Sequence, residues 1–374
     1  MNNTDIKVSV IMPIYNAYDY LKPALESVLD QTLREIEIIC IDDGSTDSSY
    51  ELIKEYQKQD ERVRIVTETN AGPALARNNG IKRARGEYIA FLDADDFFEP
   101  NLLELLYNAA EEKKLDIAVA EYDIYNSRKA VFEKAQPAEH EEILNQNEVT
   151  SKNENPDHIL LSVNGAAWNK LFRRTFVIEK QLTFLPDVKI YEDVYFVVTA
   201  MCLAERVGKV FETLVHHRIY TDQSRAKMFR KYYSQVPVAY LKIKEFMTHN
   251  GMYAPLSSSF LNLSASRCYK IYNLLGSDAK EHFWDMLHSE FAEQLGWQGR
   301  DTDDFEELDV CEFAANVLLY TYKQYKKRIA KGHYLNLDRL RVILKNAHTK
   351  KKIRAFFSFL RFRKKKKAEN GETR

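Results

Sequence analysis

The first 120 residues alternate short apolar runs with amphipathic ones, and that order leaves few folds open. Residues 7–12 form a β-rich run ended by Pro13, and Leu21, Ala24, Leu25, Val28 and Leu29 follow at helical spacing. Residues 36–41 read as a second buried strand, closed by Asp42-Asp43-Gly44-Ser45. Asp47 stands ready to cap a helix carrying Leu52, Ile53 and Tyr56. A strand over 62–66, a helix over 72–84, a strand over 88–92, a helix opened by Pro100 and a strand over 116–120 continue the series. This βαβα order predicts an α/β fold: a mostly parallel, nucleotide-binding sheet flanked by helices. Ligands of such sheets bind beyond the carboxyl ends of the strands. Here those ends are polar: Tyr15-Asn16, Asp42-Asp43 and Asp93-Ala94-Asp95, followed by Asp96.

If the fourth strand continues through 95, Asp93 and Asp95 face the same side. Two carboxylates on one face beside a loop suit a hard divalent cation, Mn²⁺ or Mg²⁺. None of the twelve glycines falls in a GxGxxG or a GxxxxGK[ST], which disfavours a dinucleotide dehydrogenase and a P-loop kinase. A diphosphate bound without a glycine cradle needs other positive charge, which a cation on Asp93 and Asp95, helped by Arg77, would supply.

The 374 residues suffice for two or three domains, and 45% hydrophobic content supplies a core. A formal net charge of −1 gives no global pull toward nucleic acid. Residues 350–367 nevertheless hold ten Lys or Arg and no acid, which leaves the remainder acidic. Cys40, Cys202, Cys268 and Cys311 form no CxxC pair, so buried free thiols in a reducing compartment are expected. The first ten residues lack a basic and an apolar signal region. The apolar stretch 194–204 is too short for a span of about 20 residues. A cytoplasmic protein, peripheral at the inner face of the cell membrane, is the expectation.

Three regions follow from the pattern: a catalytic domain over 1–225, a helical domain over 226–348 and a basic amphipathic tail over 349–374. Residues 126–158 are polar and weakly patterned and read as an irregular loop. Val310, Phe313, Ala314, Val317 and Leu318 make a helical stripe that core packing explains. In the tail, Ile353, Phe356, Phe357 and Leu360 line one helical face between cations, as suits an anionic membrane surface.

Seven segments in order carry a resemblance. They are Val8-Ser9-Val10-Ile11-Met12-Pro13-Ile14-Tyr15-Asn16, Ser27-Val28-Leu29-Asp30-Gln31-Thr32, Ile41-Asp42-Asp43-Gly44-Ser45-Thr46-Asp47, Asn70 to Gly80, Phe91-Leu92-Asp93-Ala94-Asp95-Asp96, Trp168-Asn169-Lys170-Leu171 and Tyr191-Glu192-Asp193-Val194. The set, over roughly 6–220, resembles family 2 glycosyltransferases of GT-A fold with a DxD motif, of the bacterial surface-glycan type.

The resemblance implies a metal-dependent inverting enzyme. It would move a sugar from a nucleotide diphosphate donor, UDP by preference, to a hydroxyl of a cell-surface glycan or lipid-linked oligosaccharide. Asp95 is then the metal ligand, with Asp93 on the metal, ribose or donor sugar. Pro13 and Tyr15 flank the base, Asp43 accepts from a uracil edge with Asp42 as its near alternative, and Arg77 contacts phosphate. Asp193 is the implied base that takes the acceptor proton, with Glu192 as runner-up and helix capping as the plain alternative. Trp168 is expected as a floor for an acceptor sugar or as a buried core ring, and Lys170 as a phosphate contact or a surface charge. His216 and His217 depart from the family's Tyr-Tyr-Arg habit and are expected to be satisfied structural histidines. Two other readings stand beside this one: a sugar nucleotidyltransferase, disfavoured by the residues 14–19 after the first strand, and a non-catalytic membrane-associated scaffold. Donor sugar, acceptor, linkage and oligomeric state are not legible.

Overall fold

The structure, a computed structural model, describes residues 6–219 and 225–335. The basic tail lies outside the described residues. Val8–Ile14 (β1), Ile36–Asp42 (β2), Val63–Thr67 (β3) and Tyr88–Phe91 (β4) form the parallel series expected. Tyr18–Leu29 (α1), Ser49–Gln59 (α2) and Pro73–Arg83 (α3) are the intervening helices. β1, β2 and β4 are buried along nearly their whole length, as strands covered on both faces must be.

Beyond β4 the sheet becomes mixed. It holds nine strands, with the path β3-β2-β1-β4-β8-β6-β9-β5 and β7 paired to β6. The added strands are Phe97–Phe98 (β5), Ile117–Asn126 (β6), Val131–Lys134 (β7), Lys170–Arg173 (β8) and Val207–Ile219 (β9). β8 slots antiparallel between β4 and β6, and β9 runs parallel to β6. The parallel character read from the sequence thus belongs to the first four strands. Local patterning could not place β8, a four-residue strand held entirely by partners distant in sequence.

The polar stretch 126–158 is also more ordered than expected. It holds β7 and the short helix Glu142–Gln146. Leu102–Glu112 packs below β6 and β9. Arg174–Glu179, Glu192–Leu203, Arg225–Tyr232 and Gln235–His249 complete the first compact unit, Met1–Phe260. Contact grouping therefore divides the chain later than the 225/226 boundary drawn from sequence. The last two helices join the first unit through aromatic contacts, Tyr191 with Phe229 at 6.0 Å and with Tyr240 at 5.8 Å.

The second unit, from Leu261, is helical among its described residues. Val310, Phe313, Ala314 and Val317 are buried in Leu308–Leu319, as the stripe predicts. Trp284 meets the Phe313 edge at 5.6 Å and donates its indole N–H to the Tyr320 carbonyl at 2.8 Å. All four cysteines are free and buried. Among the described residues no helix is long and apolar enough to cross a membrane.

The amino ends of the strands, away from the polar rim, are locked by a buried carboxylate. Glu37 accepts from the Ser9 hydroxyl at 2.7 Å and from the Arg85 backbone N–H at 2.7 Å, and it is ion-paired with Arg64 and Arg85. Gly86 sits so close that a Cβ there would lie 2.6 Å from the Ser9 backbone nitrogen. Burial works against the Glu37 charge, but these donors outweigh it and hold the carboxyl below its ordinary 4.5. A depressed folded-state pKa stabilises above the unfolded value, and that stability is lost as pH falls through the folded one. We expect unfolding free energy to decline as pH drops below about 4.5. Glu37→Gln should flatten that decline and cost about 1–3 kcal/mol at neutral pH. Equal acid slopes for the two proteins in urea titrations would refute the assignment.

Candidate active site

Three strand ends and one helix start meet at the polar rim. Asp43 follows β2 and its N–H bonds the Ile14 carbonyl at 2.8 Å, which sets it beside Tyr15. Tyr15 is 43% exposed, while Pro13 is half-buried within β1. The Asp43 carboxylate is buried and bidentate: Oδ1 accepts from the Ala71 N–H at 2.7 Å and Oδ2 from the Gly72 N–H at 2.8 Å. Gly72 has φ +95° and precedes α3, a conformation that favours glycine. Asp42 holds its own turn, accepting from the Ser45 N–H at 3.2 Å. Asp47 accepts from the N–H groups of Tyr18 and Ser49 and so caps the starts of two helices.

The acidic turn differs from the expectation in one respect. β4 ends at Phe91, and the Asp96 N–H closes a turn onto the Asp93 carbonyl at 3.1 Å. Strand alternation therefore does not orient Asp93 and Asp95; a turn does, and it gives each acid its own surroundings. Asp93 accepts from Arg77 at 2.6 Å. The Asp95 backbone carbonyl accepts from Arg218 Nε at 2.7 Å. Asp96, fully buried, meets His217 Nδ1 at 3.0 Å and accepts from the Arg218 N–H at 2.7 Å. The sequence assigned Asp96 no site role, yet it fastens β9 to the acidic turn. The one signal for its partners was the His216-His217-Arg218 run after an apolar strand.

Arg77 is buried, and its second partner is Glu192 at 3.2 Å. It also lies 5.2 Å over the Phe184 ring, and its Nε has no hydrogen-bond partner among the described residues. Burial opposes the charge, but Asp93 and Glu192, with Asp193 behind them, push the pKa above its ordinary value. Arg77 thus bridges the acidic turn and the helix Glu192–Leu203, a partner set that the sequence did not disclose. Tyr191, just before that helix, takes the left-handed conformation at φ 68°, a strained state for a bulky residue. Its ring contacts with Phe229 and Tyr240 hold it there. Asp193 lies in the helix's first turn rather than at its cap, is buried, and accepts from the Val194 N–H at 2.8 Å.

Two acceptor-side expectations change. Trp168 is buried and stacks on His217 at 5.1 Å with a 13° interplanar angle; Tyr122 meets it edge-on at 4.8 Å. One face is therefore covered, and the ring lies in the core rather than open to solvent. Lys170 is not a surface charge. It is 1% exposed, and Nζ lies 2.5–3.0 Å from Asn164 O and Oδ1, Ala166 O and Asn169 Oδ1. Burial pulls its pKa down to about 7, with the Asp193 carboxylate opposing. His216 is satisfied as expected, between Asp123 at 2.7 Å and Glu99 at 2.9 Å.

The model of glycosyl transferase family 2 matches residues 9–177. EpsH, a putative glycosyltransferase of Bacillus subtilis (strain 168), is 30% identical over 271 residues, covering 70% of this chain and 76% of EpsH. The chain belongs to glycosyl transferase family 2. It is accordingly a glycosyltransferase, which removes the nucleotidyltransferase and scaffold readings. The poly(ribitol-phosphate) beta-glucosyltransferase of Bacillus spizizenii is 32% identical over 213 residues, covering 54% of this chain and 31% of that longer protein. The fold is that of GT-A enzymes: S. aureus TarS 1–349, solved with UDP-GlcNAc, superposes with a TM-score of 0.62 at 18% identity over 91% of each chain.

Arg77→Met would leave the Asp93 and Glu192 carboxylates without their buried counter-charge. We expect a loss of about 3 kcal/mol in chemical denaturation and partial recovery in Arg77→Met/Glu192→Gln. A single variant as stable as the parent would show that the bridge is unimportant.

Proposed function

We propose that this family 2 enzyme transfers a sugar from a nucleoside diphosphate donor, UDP, to a hydroxyl of a cell-surface glycan or lipid-linked oligosaccharide, with inversion at the anomeric carbon. The observation that carries this reading is Arg77, which fastens the acidic turn to the helix that holds Asp193. Tyr15 offers an open ring for a base. Asp43 uses one lone pair per oxygen on the 71–72 amides and keeps others for an imide N–H.

A divalent cation, Mn²⁺ or Mg²⁺, suits the donor set. Asp95, in the acidic turn beside the Arg77-paired Asp93, would hold it. Among the described residues the turn gathers no three ligand groups at ligating distance, so the site suits a cation held by one or two carboxylates plus donor phosphates. Such a cation offsets charge on the departing diphosphate. Asp193 receives the proton of the acceptor hydroxyl as that oxygen bonds the anomeric carbon. The anomeric C–O bond to phosphate breaks, UDP leaves with its electron pair, and one displacement inverts the centre. Glu192, the alternative base, is occupied by Arg77. The names of the B. spizizenii relative and of the TarS complex support a surface-polymer setting and a UDP-linked donor.

Incubation with a panel of UDP-sugars and Mn²⁺ should release UDP when an acceptor is present. Asp95→Ala and Asp193→Ala should both abolish transfer, and only Asp95→Ala should weaken Mn²⁺-dependent UDP binding. Full transfer by Asp193→Ala would rule it out as the base.

We further propose that the basic tail draws the enzyme to the inner face of the membrane, each cation adding about 1 kcal/mol at an anionic surface. A chain ended at Thr349 should no longer sediment with anionic liposomes. Unchanged sedimentation would sink the idea.

A further inference from the structure

A cavity of about 670 Å³ opens between the β6–β7 hairpin, the segment after β7 and the turn at Ser162–Asn164. None of the donor-side residues Tyr15, Asp43, Asp93 and Asp95 lines it. It adjoins instead the 162–169 turn. Its wall includes Asn164 and Asn169, which also hold Lys170. Another wall residue, Tyr122, packs on Trp168, whose stacked partner His217 meets Asp96 of the acidic turn.

The lining has the chemistry of a glycan site. Phe132 at its edge is 55% exposed, yet it is fixed by Tyr125 at 5.1 Å and His216 at 5.0 Å. A fixed, open aromatic face complements the C–H face of a pyranose. Amides and carboxylates around it bind hydroxyls.

The charge balance selects further. Glu121, Asp123, Glu133 and Glu141 line the cavity against Lys134 and Lys209. The buried Lys209 is shared between Glu121 at 2.9 Å and Glu141 at 2.5 Å, Glu133 pairs with Lys129 at 3.2 Å and Asp123 meets His216 at 2.7 Å, which still leaves the lining with more carboxylates than lysines. An anionic chain entering here would meet surplus carboxylates at short range, where repulsion is strong. A neutral or amine-bearing chain would not.

We propose that this cavity receives the acceptor, and that it selects a neutral or amino-bearing oligosaccharide over a phosphate- or uronate-bearing one. The proposal rests on the glycosyl-transfer reading above and names the acceptor class for it. The test uses the full chain and saturation-transfer NMR. The probes are a panel of neutral tetrasaccharides, including chitotetraose and cellotetraose, the de-N-acetylated chitotetraose, and tetragalacturonate. A neutral or amino probe should bind and tetragalacturonate should not. Phe132→Ala should weaken the bound probe about fivefold, and Phe132→Tyr, which keeps the ring, should retain it. Thermal unfolding confirms that both variants are folded. Binding of no probe, tetragalacturonate binding as tightly as the best neutral one, or an unchanged affinity in Phe132→Ala would each overturn the proposal. UDP binding by the parent chain is measured alongside. Its absence would fail the donor reading and leave the oligosaccharide result to decide the cavity.

Discussion

One buried guanidinium organises the candidate site. Arg77 comes from α3 and takes Asp93 from the acidic turn and Glu192 from a helix more than a hundred residues later in the chain. A charge this deeply buried is costly unless well paired, so the pairing dictates where both elements lie. Asp95 and Asp193, the carboxylates proposed for the cation and for the acceptor proton, each stand within two residues of a partner of Arg77.

The strand-end turns of the candidate site hang on the sheet, and the part after residue 160 is tied by side chains. β1, β2 and β4 carry Tyr15, Asp43 and Asp93 on the turns that follow their ladders, and Asp43 then clamps the 71–72 amides. On the other side, Lys170 holds the 164–169 loop with four contacts from one ammonium. His217 and Arg218 tie β9 to the turn. Tyr191 holds a left-handed backbone, and strain of that kind persists only where surrounding contacts over-determine it.

The sequence disclosed what is periodic or local. The parallel strands, their helices and their polar ends follow from apolar spacing, and all appear within a residue or two of expectation. It could not disclose β8, because four residues carry no period, nor β7, whose Val131 and Phe132 look outward and so break the rule that strands bury apolar faces. For the site, identities were legible and partners were not. Arg77 was marked as a cation near phosphate because its motif says so, and its actual ligands lie 16 and 115 positions away. Lys170 was misplaced for a similar reason. A lysine after Trp-Asn reads as polar and exposed, and only the tertiary arrangement of nearby carbonyls makes burial tolerable.

This division bears on how one fold serves many acceptors. A site built on ladder hydrogen bonds cannot change without disturbing the sheet, so the nucleotide side has little freedom. A site built on single side chains and a hairpin can change its lining while β1, β2 and β4 stay as they are. The family match ends at residue 177, before Asp193, His217 and Arg218. That match takes in the hairpin and the 162–169 turn, while the end of β9 lies beyond it. The hairpin sets an exposed aromatic ring beside a cavity, and in the proposal above it is this lining, rather than the sheet, on which the choice of acceptor depends.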